Sequence, residues 1–348
     1  MTHSSFAVLG ERDVPGWRVV RRIGPLRLLR YVVIAYVVAH VARLAFIEGS
    51  FLLDPVQPGT DIANYYAGGQ RLRDGHPLYE LSPGDWPVPL APPYVTVPLL
   101  SPPLMAVIWR PLATLLSADA SIHLWFVVVL TVFLATVLWQ VWTGSGVRVL
   151  GIAVLAPAIA LTALSGDING LLAPLLIAAW YWSRRRRQAA GGAAIAVAAA
   201  LKLTPAFLAW WLVVERSGRG VFGFAIGLIA CALVSLLGST LADHVAYLDV
   251  VAHTGTIGYT PWSVPGYVAA FGLGDPWPQA SLVVVALSGT VGVWALRARP
   301  ALAWAVAVGT MVFATPVVHL ITLSLLLPAL APFDARRVEA DGYRAVDG

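Results

Sequence analysis

An all-α, polytopic membrane fold is the class this sequence predicts, and three observations predict it. Hydrophobic residues make up 58% of the 348 and charged residues only 12%, with a mean hydropathy of +0.76, too apolar for a soluble domain. The apolar residues come in continuous runs rather than alternating ones, so they read as helices, which satisfy their own backbone in lipid. Basic residues sit in short flanks between those runs, where they report topology. The net charge of +5 at pH 7 is therefore no sign of a nucleic-acid partner. Roughly nine to eleven membrane helices fit the runs.

In chain order, residues 1–26 form a polar, arginine-bearing tail, expected to be cytoplasmic. The first run, 28–47, carries Arg30 and Arg43 near its ends, where both can snorkel, and reads as an uncleaved span. It delivers the chain to a long first outer loop, about 48–97. That loop is the longest polar interval in the chain. It holds Asp61, Asn64, Tyr65 and Tyr66, then Gly75-His76-Pro77-Leu78-Tyr79, and ends rich in proline. Long loops bearing acids and aromatics are where membrane scaffolds place function.

Runs at 98–116, 122–141, 149–164 and 168–182 lead to Arg184-Arg185-Arg186-Arg187, the strongest cytoplasmic marker in the chain. Four full crossings from outside would leave that block outside, so one run is not a simple span. The expected exception is 98–116, started by Pro102-Pro103 and interrupted by Arg110-Pro111. Residues 189–214 lie between two basic flanks and are expected to form a hairpin of short helices broken near Lys202-Leu203-Thr204-Pro205. Run 221–241 then crosses to a second outer loop, about 242–279. Two or three further crossings follow, with Arg297 and Arg299 inside and Thr315-Pro316-Val317-Val318-His319 near the outer face. The organisation expected is one transmembrane unit, 27–333, between the 1–26 tail and a cytoplasmic tail, 334–348. No inverted repeat of the kind built into many transporters is visible.

Four places carry candidate chemistry. Asp61, at the end of a span, suits a general base that takes a proton from an acceptor hydroxyl; it also suits a helix N-cap. Lys202 is the only lysine among 23 lysines and arginines. Placed at a helix break within the membrane layer, its ammonium suits a phosphate; snorkelling or pairing with an acid is the alternative. In Ser165-Gly166-Asp167-Ile168-Asn169-Gly170, Asp167 and Asn169 suit sugar hydroxyls or a tight interhelical turn, and taken alone the turn is favoured. His319 suits a donor to a phosphate oxygen, although a lone histidine in an apolar run is more often packed. His76, His244 and His253 stand on wet loops, where histidine is ordinary.

Some chemistry is excluded. The single cysteine, Cys231, forbids an intrachain disulfide or a cysteine-based metal site. There is no GxxxxGK[ST], no HExxH and no dinucleotide-binding glycine fingerprint, so no metal ligand set or nucleotide cofactor is expected.

Asp61…Tyr65…Gly75-His76-Pro77-Leu78-Tyr79, followed by Pro102-Pro103-Leu104 and Arg110-Pro111-Leu112, resembles the first outer loop of family 87 glycosyltransferases. These are polytopic GT-C enzymes that include polyprenyl-phosphate-mannose-dependent α-(1→2)-mannosyltransferases and arabinofuranosyltransferases. The similarity continues in Gly166-Asp167-Ile168-Asn169, where the family usually shows Gly-Gln-x-Asn, and in Gly191-Gly192 through Lys202-Leu203-Thr204-Pro205, its Lys-x-x-Pro element. It continues again in Thr315-Pro316-Val317-Val318-His319, which is similar to the late Pro-x-Ser-x-x-His region. Asp167 replaces the usual glutamine, and the late motif lacks its serine.

The resemblance spans about 61–330. It implies a GT-C-like helical bundle and an inverting transfer, most readily of mannose, by a hexosyltransferase using a polyprenyl-phosphate sugar donor. The acceptor would be a hydroxyl of a lipid-linked or cell-wall glycan, at the outer face of the plasma membrane. Asp61 would be the base. Lys202 and His319 would bind the donor phosphate, and Asn64, Tyr65, His76, Tyr79, Asp167 and Asn169 would contact substrate. No cofactor or metal is implied, and the other partner is membrane lipid. Tyr65, Tyr66, Trp86, Trp262 and Trp277 are candidates for sugar stacking or, more commonly, interfacial anchoring. A flippase for lipid-linked glycans or a noncatalytic membrane scaffold is the competing class.

Overall fold

The computed structural model describes residues 24–47, 61–80, 88–89, 96–97, 100–254, 260 and 262–334. Most of the two expected tails, both ends of the first loop and Trp86 lie outside the described residues. Fifteen helices can be placed. They are α1 (Pro25–Ile47), α2 (Asp61–Asp74), α3 (Pro103–Leu115), α4 (Ala118–Thr143), α5 (Gly146–Val154), α6 (Ala156–Ser165), α7 (Asn169–Arg184) and α8 (Gln188–Leu201). After a 3₁₀ turn at Thr204–Phe207 come α9 (Leu208–Val214), α10 (Gly218–Gly238), α11 (Leu241–Thr254), α12 (Val264–Ala270), α13 (Trp277–Ala295) and α14 (Pro300–Phe313). A 3₁₀ stretch, Leu320–Leu326, leads into α15 (Leu327–Leu330). Val88–Pro89 and Thr96–Val97 pair as a two-residue antiparallel ribbon.

The chain is a multi-pass membrane protein. Against an expectation of nine to eleven membrane helices, four elements among the described residues, α1, α4, α10 and α13, are long and apolar enough to cross alone. The run 149–164 is instead a pair, α5 and α6, bent by 61°. The break falls at Leu155-Ala156-Pro157, where proline removes a backbone donor. The remaining apolar sequence folds into shorter helices, interrupted by Lys202, Pro205 and the Thr315–His319 segment.

Side-chain clasps define two ends of the bundle. At one, Arg30 donates to the Gly144 carbonyl at 2.9 Å, Ser145 N–H donates to Phe333 O at 3.2 Å, and Arg184 pairs with Glu215 at 3.1 Å. Tyr181, one turn before Arg184, donates to the Ala331 carbonyl at 3.1 Å and joins these clasps into one layer. The Arg184–Arg187 block and the Arg216/Arg219 flank therefore share an end, as the hairpin reading of 189–214 requires. At the other end, Trp125 Nε1 donates to Gly166 O at 2.9 Å.

The first loop contains more structure than expected. Residues 61–74 form helix α2, which lies along α3. Gly69 permits that approach, since a Cβ there would fall 2.6 Å from the Trp109 backbone. Arg73 donates to Ala113 O at 2.8 Å, and the Tyr65, Trp109 and Trp125 rings sit 4.9–6.3 Å apart. Helix α3 has 13 residues, about 20 Å, short of a hydrocarbon core of about 30 Å. The run 98–116 is thus short for a simple span, but so is α7, with 16 residues, and the run 149–164 is the bent pair α5 and α6.

The hairpin packs through small residues. A Cβ on Gly192 would lie 1.9 Å from Gly220 O, and one on Gly223 would lie 2.1 Å from Ala189 O, so α8 and α10 touch backbone to backbone. Beneath, Trp180, Trp211 and Trp304 pack with centroids 4.7–5.9 Å apart, and Trp304 Nε1 donates to Pro328 O at 2.7 Å. Edge-on and tilted aromatic pairs of this kind add about 0.5–1.5 kcal/mol each. This core fixes the helices whose ends form the site.

Candidate active site

The α6–α7 turn organises the site. Gly166 has φ +61°, a left-handed conformation that ends α6, and a Cβ there would strike Ile62 at 2.2 Å. That absence lets the start of α2 close against the turn, which sets Asp61 beside Asp167. The Asp167 carboxylate accepts from the Asn169 N–H at 2.6 Å, the local bond of an Asx turn. Asn169 Oδ1 in turn accepts from the Lys202 ammonium at 2.9 Å. The turn reading is therefore realised, and the same turn brings Asn169 to Lys202.

Lys202 caps α8 in an extended conformation, φ −152° and ψ 122°, which turns its side chain out of the helical path toward Asn169. Asp61, Asp167, Asn169 and Lys202 form one continuous polar series across three chain segments. Asn169 is fully buried, and among the described residues its Nδ2 has no hydrogen-bond partner. A buried amide donor without a protein partner is costly unless a ligand or water takes it.

Asp61 keeps exposed surface while protein crowds its carboxyl. Crowding first, and the Asp167 carboxylate second, push its acid well above the usual range; Lys202 acts in the opposite direction. Its carboxyl and that of Asp167 lie within hydrogen-bonding reach. Asn64 and Tyr65, three and four residues on, share its face of α2, and Tyr65 is buried. Burial, then Asp167 and Asp61, keep the Tyr65 phenol protonated.

His319 stands before the 3₁₀ stretch, and its ring accepts from the Thr322 N–H. Burial first, then Lys202, hold its imidazole below its ordinary value, and Asp167 opposes them. A neutral ring that accepts with one nitrogen carries its proton on the other, so the second nitrogen is a donor. A cavity of ≈ 380 Å³ lies on one flank of α11 and a larger one of ≈ 520 Å³ on the other. The larger is walled by Lys202, Thr204, Phe207, Met311, Pro316 and Val317 among others, mostly apolar.

His76 and Tyr79 are not in the polar series. They line the smaller cavity, at the far end of α2 from Asp61. His76 is exposed there. Tyr79 is buried, donates to Ser101 O at 2.7 Å and packs on Tyr247 at 5.8 Å. Arg71 anchors this segment by donating to the carbonyls of Pro77, at 2.8 Å, and Glu80. Asp243 adds a bond to the Leu78 N–H at 2.9 Å. Trp262 and Trp277 are exposed, as interfacial anchors are.

Two residues escaped the sequence reading. Arg148, fully buried, donates to Leu330 O at 3.0 Å, to Ala331 O, to Thr143 Oγ1 at 3.1 Å and to the Tyr181 hydroxyl at 3.1 Å. Thr260 pairs with the backbone of Val318. Apart from Thr143, the partners are distant in sequence, so no spacing announces them. Among the described residues no cluster of three or more His, Cys, Asp or Glu side chains could hold a metal.

The family model described as glycosyltransferase family 87 matches residues 100–321. This chain belongs to glycosyltransferase family 87. The match takes in Asp167, Asn169, Lys202 and His319, and begins after Asp61. This family 87 chain is also 30% identical, over 268 residues, to a polyprenol-phosphate-mannose-dependent alpha-(1-2)-phosphatidylinositol mannoside mannosyltransferase of Mycobacterium tuberculosis. The alignment covers 68% of this chain and 60% of the relative, so the chain spans about three fifths of that protein's length. No solved structure matches.

Proposed function

We propose that the chain transfers a sugar, mannose, from a polyprenyl-phosphate donor to a hydroxyl of a lipid-linked or cell-envelope glycan, with inversion, at the outer face of the plasma membrane. The observation that carries this is the series Asp61–Asp167–Asn169–Lys202, which links a carboxylate and an ammonium through two side chains. Asp61 takes the proton of the acceptor hydroxyl as its oxygen attacks the anomeric carbon. The bond from that carbon to the phosphate oxygen breaks, and polyprenyl phosphate departs with the electron pair. Lys202 as a point charge and the donor nitrogen of His319 stabilise the departing phosphate.

The ≈ 520 Å³ cavity, polar at Lys202 and apolar beyond, suits the phosphate and the first isoprene units. The relative's donor and mannoside acceptor support this choice of substrates. Four arginines and the Arg216/Arg219 flank gather at the end opposite the cleft, which supports a cleft facing outward.

The test is transfer of label from polyprenyl-phosphate [¹⁴C]mannose to a lipid-glycan extract in membranes holding wild type or Asp61→Asn. Label in glycolipid with wild type and not with Asp61→Asn is the expected result. Equal transfer by both removes Asp61 as the base. No transfer by either removes mannose, and the arabinose donor is then used.

A further inference from the structure

The segment that carries His319 is not helical, so its backbone must find partners outside itself. Val318, fully buried, finds both in one side chain. Its N–H donates to Thr260 Oγ1 at 3.0 Å, and the same hydroxyl donates back to its carbonyl at 2.5 Å. A hydroxyl can donate and accept at once, and here it does both toward the residue that immediately precedes His319.

Thr260 is itself held firmly. Its carbonyl accepts from the Ser263 N–H at 3.0 Å and from the Ser263 hydroxyl at 2.8 Å. Ser263, fully buried, accepts in turn from the Gly266 N–H at 3.0 Å. A Cβ on Gly266 would fall 2.0 Å from the Thr260 carbonyl oxygen, so that spacing tolerates only glycine. On its other side, His319 is tied by its ring to the Thr322 N–H, while the Thr322 hydroxyl accepts from the His319 N–H at 3.3 Å.

We propose that Thr260 is a positioning residue, whose hydroxyl clamps the Val318 backbone and so sets the reach of His319 into the cleft. This rests on the reading of His319 as a donor to the leaving phosphate. It makes the second loop, which supplies no group to the reaction, part of the donor site.

The experiment compares donor KM and kcat for Thr260→Val, Thr260→Ser, His319→Ala and the Thr260→Val/His319→Ala double variant. Thr260→Val removes the hydroxyl and keeps the shape. The expected result is a several-fold rise in donor KM, restored by Thr260→Ser, with the double variant no worse than His319→Ala alone. An unchanged KM in Thr260→Val beside a raised one in His319→Ala overturns the proposal, as does full additivity.

A second readout is independent of activity. In a Cys231→Ser background, Val317→Cys is labelled with a water-soluble maleimide. Thr260→Val should label several-fold faster than the parent, and an equal rate overturns the clamp. A silent His319→Ala sinks the phosphate role of His319 itself, and the clamp then stands or falls on the labelling rate.

Discussion

Lys202 donates to the side-chain carbonyl of Asn169 across 2.9 Å, and that bond joins the break of one helical hairpin to the turn between two others. An ammonium held this way is aimed before a ligand arrives. A lysine on a four-carbon stem otherwise loses roughly 2 kcal/mol of rotamer entropy when a ligand fixes it. Preorganisation of that kind is what electrostatic stabilisation of a leaving group requires.

Loss of the bond should therefore weaken the donor site without removing the charge. A hydrogen bond to a charged group contributes about 1.5–3 kcal/mol, so Asn169→Ala should lower kcat/KM by about 10–100-fold. Lys202→Met should lower it further, and Lys202→Arg should not restore it, because a planar fork cannot occupy the place of a compact ammonium. Adding Asn169→Ala to Lys202→Met should cost little more, since both act through one group. Steady-state kinetics on purified protein decide this; independent effects would separate Asn169 from Lys202.

If Asp61 is the base of the proposed transfer, acid should stop transfer earlier than an ordinary carboxylate would. Crowding and Asp167 raise the Asp61 acid above its usual value of about 4. The base form is then lost as pH falls through that raised value, which places the acid limb of kcat/KM above the ordinary carboxylate range. The effect on stability has the opposite sign. Between the ordinary and the raised value the folded state binds more protons than the unfolded one, so stability falls as pH rises through that window. Asp167→Asn keeps the turn acceptor and removes the second charge, so it should move the acid limb to lower pH. A pH–rate profile of the two proteins with an unmoved limb would separate Asp61 from the titration.

Much of this site was legible because its residues break local rules. A lone lysine in an apolar hairpin and an acid opening a polar stretch after a first span are anomalies that composition and charge expose. The parity argument from Arg184–Arg187 required that one of four runs not be a simple span, and the structure has one such run bent by 61° and two others shorter than a bilayer core. The sequence did not expose distances across the fold. The resemblance grouped His76 and Tyr79 with Asp61, yet α2 carries His76 to its far end and into another cavity. The helix was open only as the alternative in which Asp61 is an N-cap, because its glycines, polar residues and paired tyrosines read as loop and it packs on α3. Thr260 was not legible either, since its partners in Val318 are backbone atoms, nor fully was Arg148, which donates to the backbone of Leu330 and Ala331 as well as to Thr143 and Tyr181.

The α8–α10 contact should be intolerant of volume. Gly192 faces the Gly220 carbonyl so closely that even a methyl group cannot fit without moving a helix. Gly192→Val should therefore cost at least the 1–3 kcal/mol typical of overpacking. It should reduce the yield of folded protein in mild detergent, measured by size-exclusion chromatography. Gly218→Ala has open space and serves as the control, with yield unchanged.

Arg148 should matter for stability rather than for chemistry. Its guanidinium satisfies the carbonyls of Leu330 and Ala331 at the end of α15, where helical partners have run out, and it ties them to Thr143 and Tyr181. All of this lies at the end of the bundle opposite Asp61. Arg148→Met keeps much of the side-chain volume and strips the donors, leaving buried carbonyls short of partners at about 1–3 kcal/mol each. Thermal unfolding in detergent should shift down by several degrees. Donor KM at a temperature where both proteins are folded should stay within about twofold, since sites this far apart with no shared partners behave additively. A raised KM with unchanged unfolding would instead place Arg148 in the path between the basic end of the bundle and the cleft.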